Sequence, residues 1–378
     1  MTVQKELHKL PTWKEIKRIQ VQFCEAASEG EYGVVEQRHV NSLLPEVRYQ
    51  ERVEILTVCD LPHEQFQTDV TETQYFKEHA ARRGEVKALE SCEKYRKLLG
   101  SIREKFRDDR RHAPILLNRG TGTRLDGTHR VSVLRYLGYE EIPCILVEQE
   151  EYAEFLLSNI SRDIVKNDMV SLGKWYQAIE VIPGLWTRNV RPEKENLMMD
   201  VISDWARDRF VFELGANNGL YSLHAALNGT RRAKGYEMSR DYFKKSMFIR
   251  MLWNITLPNA FNATFSHADA RADLSWMKDS DTLVAGCVIY HLQDGMHEFM
   301  QNISDSKIDR CIIQANNERL AKLPPIEDDA LNMDSEARMF VTLPRLKKLF
   351  SWYGFKEVLY ENTDSEFPIA VLSRNLND

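Results

Sequence analysis

Long apolar runs are missing from this chain. No stretch approaches the ~20 consecutive apolar residues that a membrane-spanning helix needs. The first twenty residues, MTVQKELHKLPTWKEIKRIQ, are amphipathic and lack the apolar core and small-residue cleavage site of a secretory leader. Paired cysteines are missing too. Cys24, Cys59, Cys92, Cys144, Cys287 and Cys311 are scattered with no C-x-x-C, which excludes a zinc ribbon and a disulfide framework. The ten histidines form no HExxH and no cluster with cysteine, so no structural metal is expected. Excess positive charge is also absent. The 51 Lys and Arg are outnumbered by 57 Asp and Glu, and the net charge of −6 argues against a general nucleic-acid coat, leaving only a local patch for such a partner. These absences describe a globular chain without a membrane span, expected in the cytoplasm. No heptad seam or apolar patch speaks to its oligomeric state.

What is present is a chain of 378 residues, 43% hydrophobic and 29% charged, long enough for two domains. Residues 1–45 read as helical, with a polar break near Ser28–Gly33. Val53–Val58 (VEILTV) is β-branched and alternating, the pattern of a strand. Glu72–Arg83 and Val86–Phe106 read as helices, the second with mixed charges that suit a solvated face. A compact unit follows: strand Pro114–Asn118, a turn at Arg119–Thr123, helix Thr128–Leu137 ended by Gly138, and strand Ile142–Glu148. A polar, acidic stretch then leads into a helical linker, and the domain boundary is expected near residue 160.

Beyond it, Trp175–Ile182 and Asn196–Ala206 read as helices. Strands are expected at Phe210–Leu214, Ala233–Glu237, Ala263–Ala268, Thr282–Tyr290, Ile308–Ala315, Lys356–Glu361 and Ile369–Ser373. Helices separate them at Leu220–Asn228, Arg240–Trp253, Asp294–Ile303 and Leu343–Trp352. That alternation predicts a parallel α/β sheet with crossover helices. The last two strands are close enough to form an antiparallel hairpin at one edge.

The chemistry concentrates in Val211–Ser222 (VFELGANNGLYS), a hydrophobic strand, an acidic residue, a Gly-x-x-x-Gly turn and a helix. Its two glycines allow a sharp turn and close approach of a ligand. The N–H groups opening the next helix offer a partly positive surface to a carboxylate or phosphate. The following strand ends in Glu237, about twenty residues on, where a carboxylate can accept both hydroxyl protons of a ribose. A dinucleotide dehydrogenase would usually show G-x-G-x-x-G, whereas this chain has E-x-G-x-x-x-G.

The segment FELGANNGLYSL…KGYEMS resembles motif I and the second-strand acid of class I S-adenosylmethionine-dependent methyltransferases, in a form most similar to the FkbM-type and wobble-uridine-methyltransferase-like branches. DTLVAGCVIYHL (Asp281–Leu292) resembles the fourth strand of that fold, and LPRLKKLFSWYGFKEV (Leu343–Val358) its late helix and strand. The resemblance covers roughly residues 170–378. One departure is Asn217-Asn218, where many relatives carry another glycine. The resemblance implies a Rossmann-like seven-stranded sheet over residues 161–378 and S-adenosyl-L-methionine as cofactor. Gly215, Ala216, Asn217 and Gly219 would line its methionine part, and Glu213 would orient the loop. Glu237 would bind the ribose, Met238 would lie against the adenine, and Asp269 would accept from the adenine amino group. Cys287 to His291 would border the reacting methyl. His291 is the candidate base, with Tyr290 and Asp294 behind it. His224, Trp175 and Trp186 suit structural roles better.

A second motif, Arg124-Leu125-Asp126-Gly127-Thr128-His129-Arg130 followed by VSVLRYLGYEEIPCILVE, resembles the ParB/sulfiredoxin-like superfamily. The expected domain is a small α+β unit over residues 46–160, after an N-terminal helical segment. The resemblance implies phosphate or nucleotide binding, with ATP and Mg2+ as candidates. Asp126 would shape the turn or assist at a metal–phosphate, Gly127 would allow close approach, and Thr128, His129 and Arg130 would meet phosphate oxygens at a helix start. The redox members of the superfamily use a cysteine where Thr128 stands.

The combined expectation is methyl transfer to an oxygen or nitrogen of a small molecule or glycan. Three alternatives stay open: a bifunctional kinase–methyltransferase, a tRNA-modifying methyltransferase, and a nucleotide-responsive regulator.

Overall fold

A computed structural model describes residues 3–26, 32–36, 55–105, 115–118, 124–139, 141–188, 192–257, 262–320, 322–332, 334 and 337–374. They fall into two compact units that divide between Ile160 and Ser161, with Leu10–Thr12 belonging to the second. Among the described residues, no helix is long and apolar enough to cross a membrane.

Up to Ile160 the elements are α1 (Val3–Leu7), α2 (Pro11–Ala26), β1 (Tyr32–Glu36), α3 (His63–Asp69), α4 (Gln74–Arg83), α5 (Glu85–Lys105), β2 (Ile115–Asn118), β3 (Arg124–Asp126), α6 (Thr128–Tyr136), β4 (Glu141–Val147) and α7 (Gln149–Asn159). The sheet runs β1-β4-β2-β3, with β2 parallel to β4 and the other pairs antiparallel. Two expectations are corrected here. Tyr32–Glu36, read as helical or as a break, is an edge strand on β4, because the β-branched pair Val34-Val35 follows a glycine and meets the open edge of β4. Residues 55–58, read as part of a strand, belong to a helical stretch over 55–59. Ile55, Leu56 and Cys59 are buried there in a core with Phe66, Cys92 and Tyr95, so packing on one helical face overrides β propensity. Residues 51–54 and the expected turn at Arg119–Thr123 lie outside the described residues.

From Ser161 onward the elements are α8 (Arg162–Ser171), β5 (Glu180–Ile182), β6 (Leu185–Trp186), α9 (Glu193–Trp205), β7 (Phe210–Leu214), α10 (Leu220–Leu227), β8 (Arg232–Glu237), α11 (Arg240–Thr256), β9 (Ala263–His267), α12 (Trp276–Asp279), β10 (Thr282–Gly286), α13 (Met296–Asp305), β11 (Arg310–Gln314), α14 (Asn317–Leu320), α15 (Leu343–Trp352), β12 (Glu357–Asn362) and β13 (Ile369–Ser373). Seven strands form one sheet in the order β12-β13-β11-β10-β7-β8-β9. Only β13 runs against the rest, paired antiparallel with β11 and β12. This is the mostly parallel, Rossmann-like α/β sheet with an edge hairpin that the alternation predicts.

Alternation along β7 sends Phe212 and Leu214 to one face and Val211 and Glu213 to the other. On the first face Phe212 stacks on Trp276, with ring centroids 4.6 Å apart, inside a buried cluster that includes residues of α13 and α15. On the other face Glu213 bonds into α10.

Two further expectations are corrected. Trp175–Ile182 is not a helix. Residues 173–179 run without helix and lead into the β5–β6 hairpin. Trp175, Gln177, Ala178, Ile179, Val181 and Ile182 are all buried, and Pro183-Gly184 turns the chain back with Gly184 at φ +73°. The strand expected to reach Tyr290 stops at Gly286, because Cys287 adopts φ +54° and residues 289–291 form a 3-10 turn.

Candidate functional site

The carboxyl ends of β7, β8, β9, β10 and β11 open onto one cavity of about 470 Å3, within the usual range for a ligand pocket. Open α/β sheets bind ligands at this edge. Of the residues expected at a cofactor site, Glu213, Gly215, Asn217, Glu237, Met238, Asp269 and Cys287 line the cavity, and so does His291.

Glu237 ends β8 and is held by two backbone donors. The N–H of Asn217 donates to Oε2 at 2.7 Å and the N–H of Ser239 to Oε1 at 2.7 Å. Burial raises its pKa, and those N–H bonds oppose the rise. Each carboxylate oxygen still has lone-pair capacity toward the cavity. Asn217, at φ +52°, also lines the cavity, and its buried Oδ1 has no hydrogen-bond partner among the described residues, an acceptor to which a ligand donor fits.

Glu213 is fully buried, and its Oε2 accepts from the N–H of Ser222 at 2.8 Å and from the Ser222 hydroxyl. Burial pushes its pKa up to about 8. It therefore fixes the loop against α10, as expected of an orienting residue. Two of the N–H groups at the start of α10 are already engaged within the fold, which narrows the anion surface expected there. That of Leu220 donates to Gln177 Oε1 at 3.2 Å and that of Ser222 to Glu213.

The glycines serve packing. A Cβ on Gly215, at φ +67°, would meet Val288 Cγ2 at 2.6 Å, and one on Gly219, at φ +91°, would meet the Phe265 ring at 2.5 Å. Ala216 is buried, with its N–H donating to the Tyr236 carbonyl at 2.8 Å. Ala216 and Gly219 lie behind the cavity wall and not on it.

Asp269 lies on the wall, but both its oxygens are engaged by Arg271, the shortest contact at 2.6 Å, which lowers its pKa. Met238 is 60% exposed at the rim. Cys287 points its thiol at the carbonyl of Ala315 at 3.2 Å, and burial pushes its pKa up to about 12, so it is not a thiolate nucleophile. His291 ends the 3-10 turn, with its pKa lowered by partial burial and by Arg319. Tyr290 and Asp294 are not brought to the cavity. The Tyr290 side chain is buried under the Arg319 guanidinium, 4.4 Å from its ring centroid, and its hydroxyl accepts from Asn316 at 3.4 Å. Asp294 is exposed on the turn Gln293–Gly295. His224 is structural, its Nε2 between the Ser203 hydroxyl at 2.7 Å and the Met199 carbonyl at 3.0 Å.

Tyr176, Gln177, Lys194, Glu195, Tyr221 and Gln314 also line the cavity without having been anticipated. Tyr176 and Gln177 hide in the segment read as a helix, and Lys194 and Glu195 sit in a charged run (PEKEN) just before the helix expected at Asn196–Ala206. Tyr221 lies inside the motif that drew attention to the loop.

In the N-terminal unit, Gly127 opens α6 at φ +104°, and a Cβ there would meet Ile115 Cγ2 at 2.6 Å, so packing against β2 accounts for the glycine. His129 is exposed and lies edge-on to Tyr95, with centroids 4.6 Å apart, and Arg130 is half-buried beside it. The backbones of Asp126 and Thr128 flank Gly127, the first ending β3 and the second starting α6. Among the described residues, no group of three or more His, Cys, Asp or Glu could hold a metal ion.

No protein-family model matches the chain, and no curated protein matches it significantly. Among solved structures, the chain is similar to EvdMO1 at 18% identity, with 57% of this chain and 48% of that protein covered and a TM-score of 0.40. It is similar to the EvdMO1 N-terminal domain, crystallised with SAH and D-fucose, at 17% identity over 57% of this chain and 97% of that domain, with a TM-score of 0.41. It is also similar to magnesium protoporphyrin IX methyltransferase (ChlM) from Synechocystis PCC 6803 with bound SAM, at 12% identity over 61% and 98% of the two chains, with a TM-score of 0.38. The chain thus spans about half the length of full EvdMO1.

Proposed function

We propose that residues 161–378 bind S-adenosylmethionine in the cavity and transfer its methyl group to an oxygen or nitrogen of a small molecule. The observation that carries this reading is Glu237, a carboxylate pinned by two backbone N–H groups at the tip of β8, on the wall of a cavity at the carboxyl edge of the sheet. Such a group suits the paired hydroxyls of a ribose.

Asn217 Oδ1 would accept from the cofactor, Met238 would cover the adenine, and Gly215 and Cys287 would border the methionine part. Asp269 would serve the adenine end as an ion pair with Arg271. Once bound, S-adenosylmethionine supplies an electrophilic methyl on a sulfonium. The acceptor lone pair forms the new bond to that carbon as the sulfur–carbon bond breaks, and the sulfur leaves as a neutral thioether. The protein's work is to hold the acceptor in line. His291, on the wall and neutral above its lowered pKa, would take the acceptor proton. A half-enclosed cavity and a net charge of −6 favour a small acceptor over bulk nucleic acid. The test is transfer of tritiated methyl from S-adenosylmethionine into a small-metabolite extract and, separately, into bulk tRNA. Label in the small-molecule fraction alone supports the reading. Label in tRNA alone replaces it with the RNA-modifying one.

For the first unit, the likeness to ParB/sulfiredoxin-like proteins supports a phosphate group at the start of α6, beside His129 and Arg130. The packing role of Gly127 weighs against a dedicated cradle there.

A further inference from the structure

Glu237 and Gln314 end β8 and β11, three strands apart in the order β11-β10-β7-β8, or roughly 14 Å at the usual strand spacing. The ribose carboxylate thus lies on one side of the cavity, and Gln314, Gly286 and Cys287 lie on the other. Lys194, from α9, belongs to this second side. The Gln314 side-chain amide donates to the Lys194 carbonyl at 2.9 Å and ties that turn of α9 to the end of β11.

The Lys194 ammonium is 5.3 Å from the Tyr176 ring centroid and 4.7 Å from that of Phe367. Two aromatic faces therefore hold it in place. Among the described residues its hydrogen bonding is one 3.4 Å contact to the Tyr176 hydroxyl, and no carboxylate pairs with it. The half-buried ammonium carries three donors, of which this contact uses at most one. On the same wall the buried Tyr221 packs its ring against Gly286 and has no hydrogen-bond partner for its hydroxyl among the described residues.

Resting on the methyltransferase reading above, we propose that the acceptor is a small molecule bearing a carboxylate and that Lys194 holds that carboxylate, with the Tyr221 hydroxyl as a second donor. Lys194 is the only lysine or arginine among the described residues lining the cavity, and a single cation suits a singly charged carboxylate better than a phosphate dianion. If the stem merely packs on Tyr176 and Phe367 with its head in water, its charge recognises nothing.

The test uses the full chain and two variants, Lys194→Met and Lys194→Arg. Binding of S-adenosylhomocysteine is measured first by calorimetry. Absence of binding to the wild type sinks the methyltransferase reading itself. With S-adenosylhomocysteine saturating, melting is then followed with matched acids and amides at millimolar concentration: benzoate against benzamide, and 4-hydroxybenzoate against 4-hydroxybenzamide. The expected result is stabilisation by the acids over the amides in the wild type. That preference should be lost in Lys194→Met and kept in Lys194→Arg, with S-adenosylhomocysteine affinity unchanged within twofold in both. Equal effects of acids and amides, no stabilisation by any acid, or an acid preference that survives in Lys194→Met would each overturn the proposal. A tenfold loss of S-adenosylhomocysteine affinity in Lys194→Met would overturn it as well, by placing the lysine on the cofactor.

Discussion

His291 and Glu213 are two titratable residues whose surroundings lead to pH-dependent behaviour. Partial burial and the Arg319 guanidinium both disfavour the imidazolium, so His291 is neutral, and able to accept a proton, at pH 7. Activity that depends on it is complete at neutral pH and lost as the pH falls, with an acid limb in kcat/KM below about 6.5. Arg319→Ala should move that limb upward, and His291→Ala should lower kcat by about 100-fold or more while leaving S-adenosylhomocysteine affinity intact. Glu213 has the opposite signature. Its folded pKa, raised to about 8, exceeds the unfolded value, so the native state holds a proton that the unfolded chain releases. Its contribution to stability is fully present below about pH 4.5 and declines, by about 1.4 kcal/mol per pH unit, as the pH rises toward about 8. Glu213→Gln keeps an acceptor for Ser222 and removes that titration. Urea melts at pH 5 and pH 8 should show the variant gaining on the wild type at the higher pH. A constant difference would mean that Glu213 is ionised in the fold.

At the scale of elements, the loop between β7 and α10 is set by shape. Gly219→Ala places a Cβ at φ +91° and into the Phe265 ring. The backbone strain alone should cost about 1–3 kcal/mol, read as a lowered denaturation midpoint. Phe212→Ala, which removes the ring stacked on Trp276 in a fully buried cluster, should cost about 3–5 kcal/mol by the same measurement. The strands of the large sheet were legible because parallel strands buried on both faces read as short apolar runs between helical periods, and β7, β13 and α15 begin and end where the pattern says. The strap at residues 173–188 was not legible. Its buried apolar residues Trp175, Ala178, Ile179 and Ile182 fall at helical spacing, and only their tertiary contacts hold the segment extended. Residues 55–58 failed for the converse reason, a β-branched run recruited to one face of a short helix. The acidic tip of β8 was readable from its spacing to the glycine turn. Lys194, Tyr176 and Gln177 were not, since nothing local marks a residue that reaches the site from elements preceding β7.

At the scale of the molecule, two compact units share one chain, and the chemistry argued here belongs to the second. Its cavity brings together residues from segments between Tyr176 and Gln314, which is why a single motif could point to the site without describing it. The charged groups on the cavity wall are Glu237 and Asp269 at the β8–β9 end, Glu213 on β7, and the neighbours Lys194 and Glu195 from α9. The most direct test of the whole account is isothermal calorimetry of S-adenosylhomocysteine with the full chain and with Glu237→Ala. The expected result is saturable one-site binding to the wild type and a loss of at least about tenfold in the variant, about 1.4 kcal/mol or more. No binding to the wild type, or equal affinity in the two proteins, would contradict it.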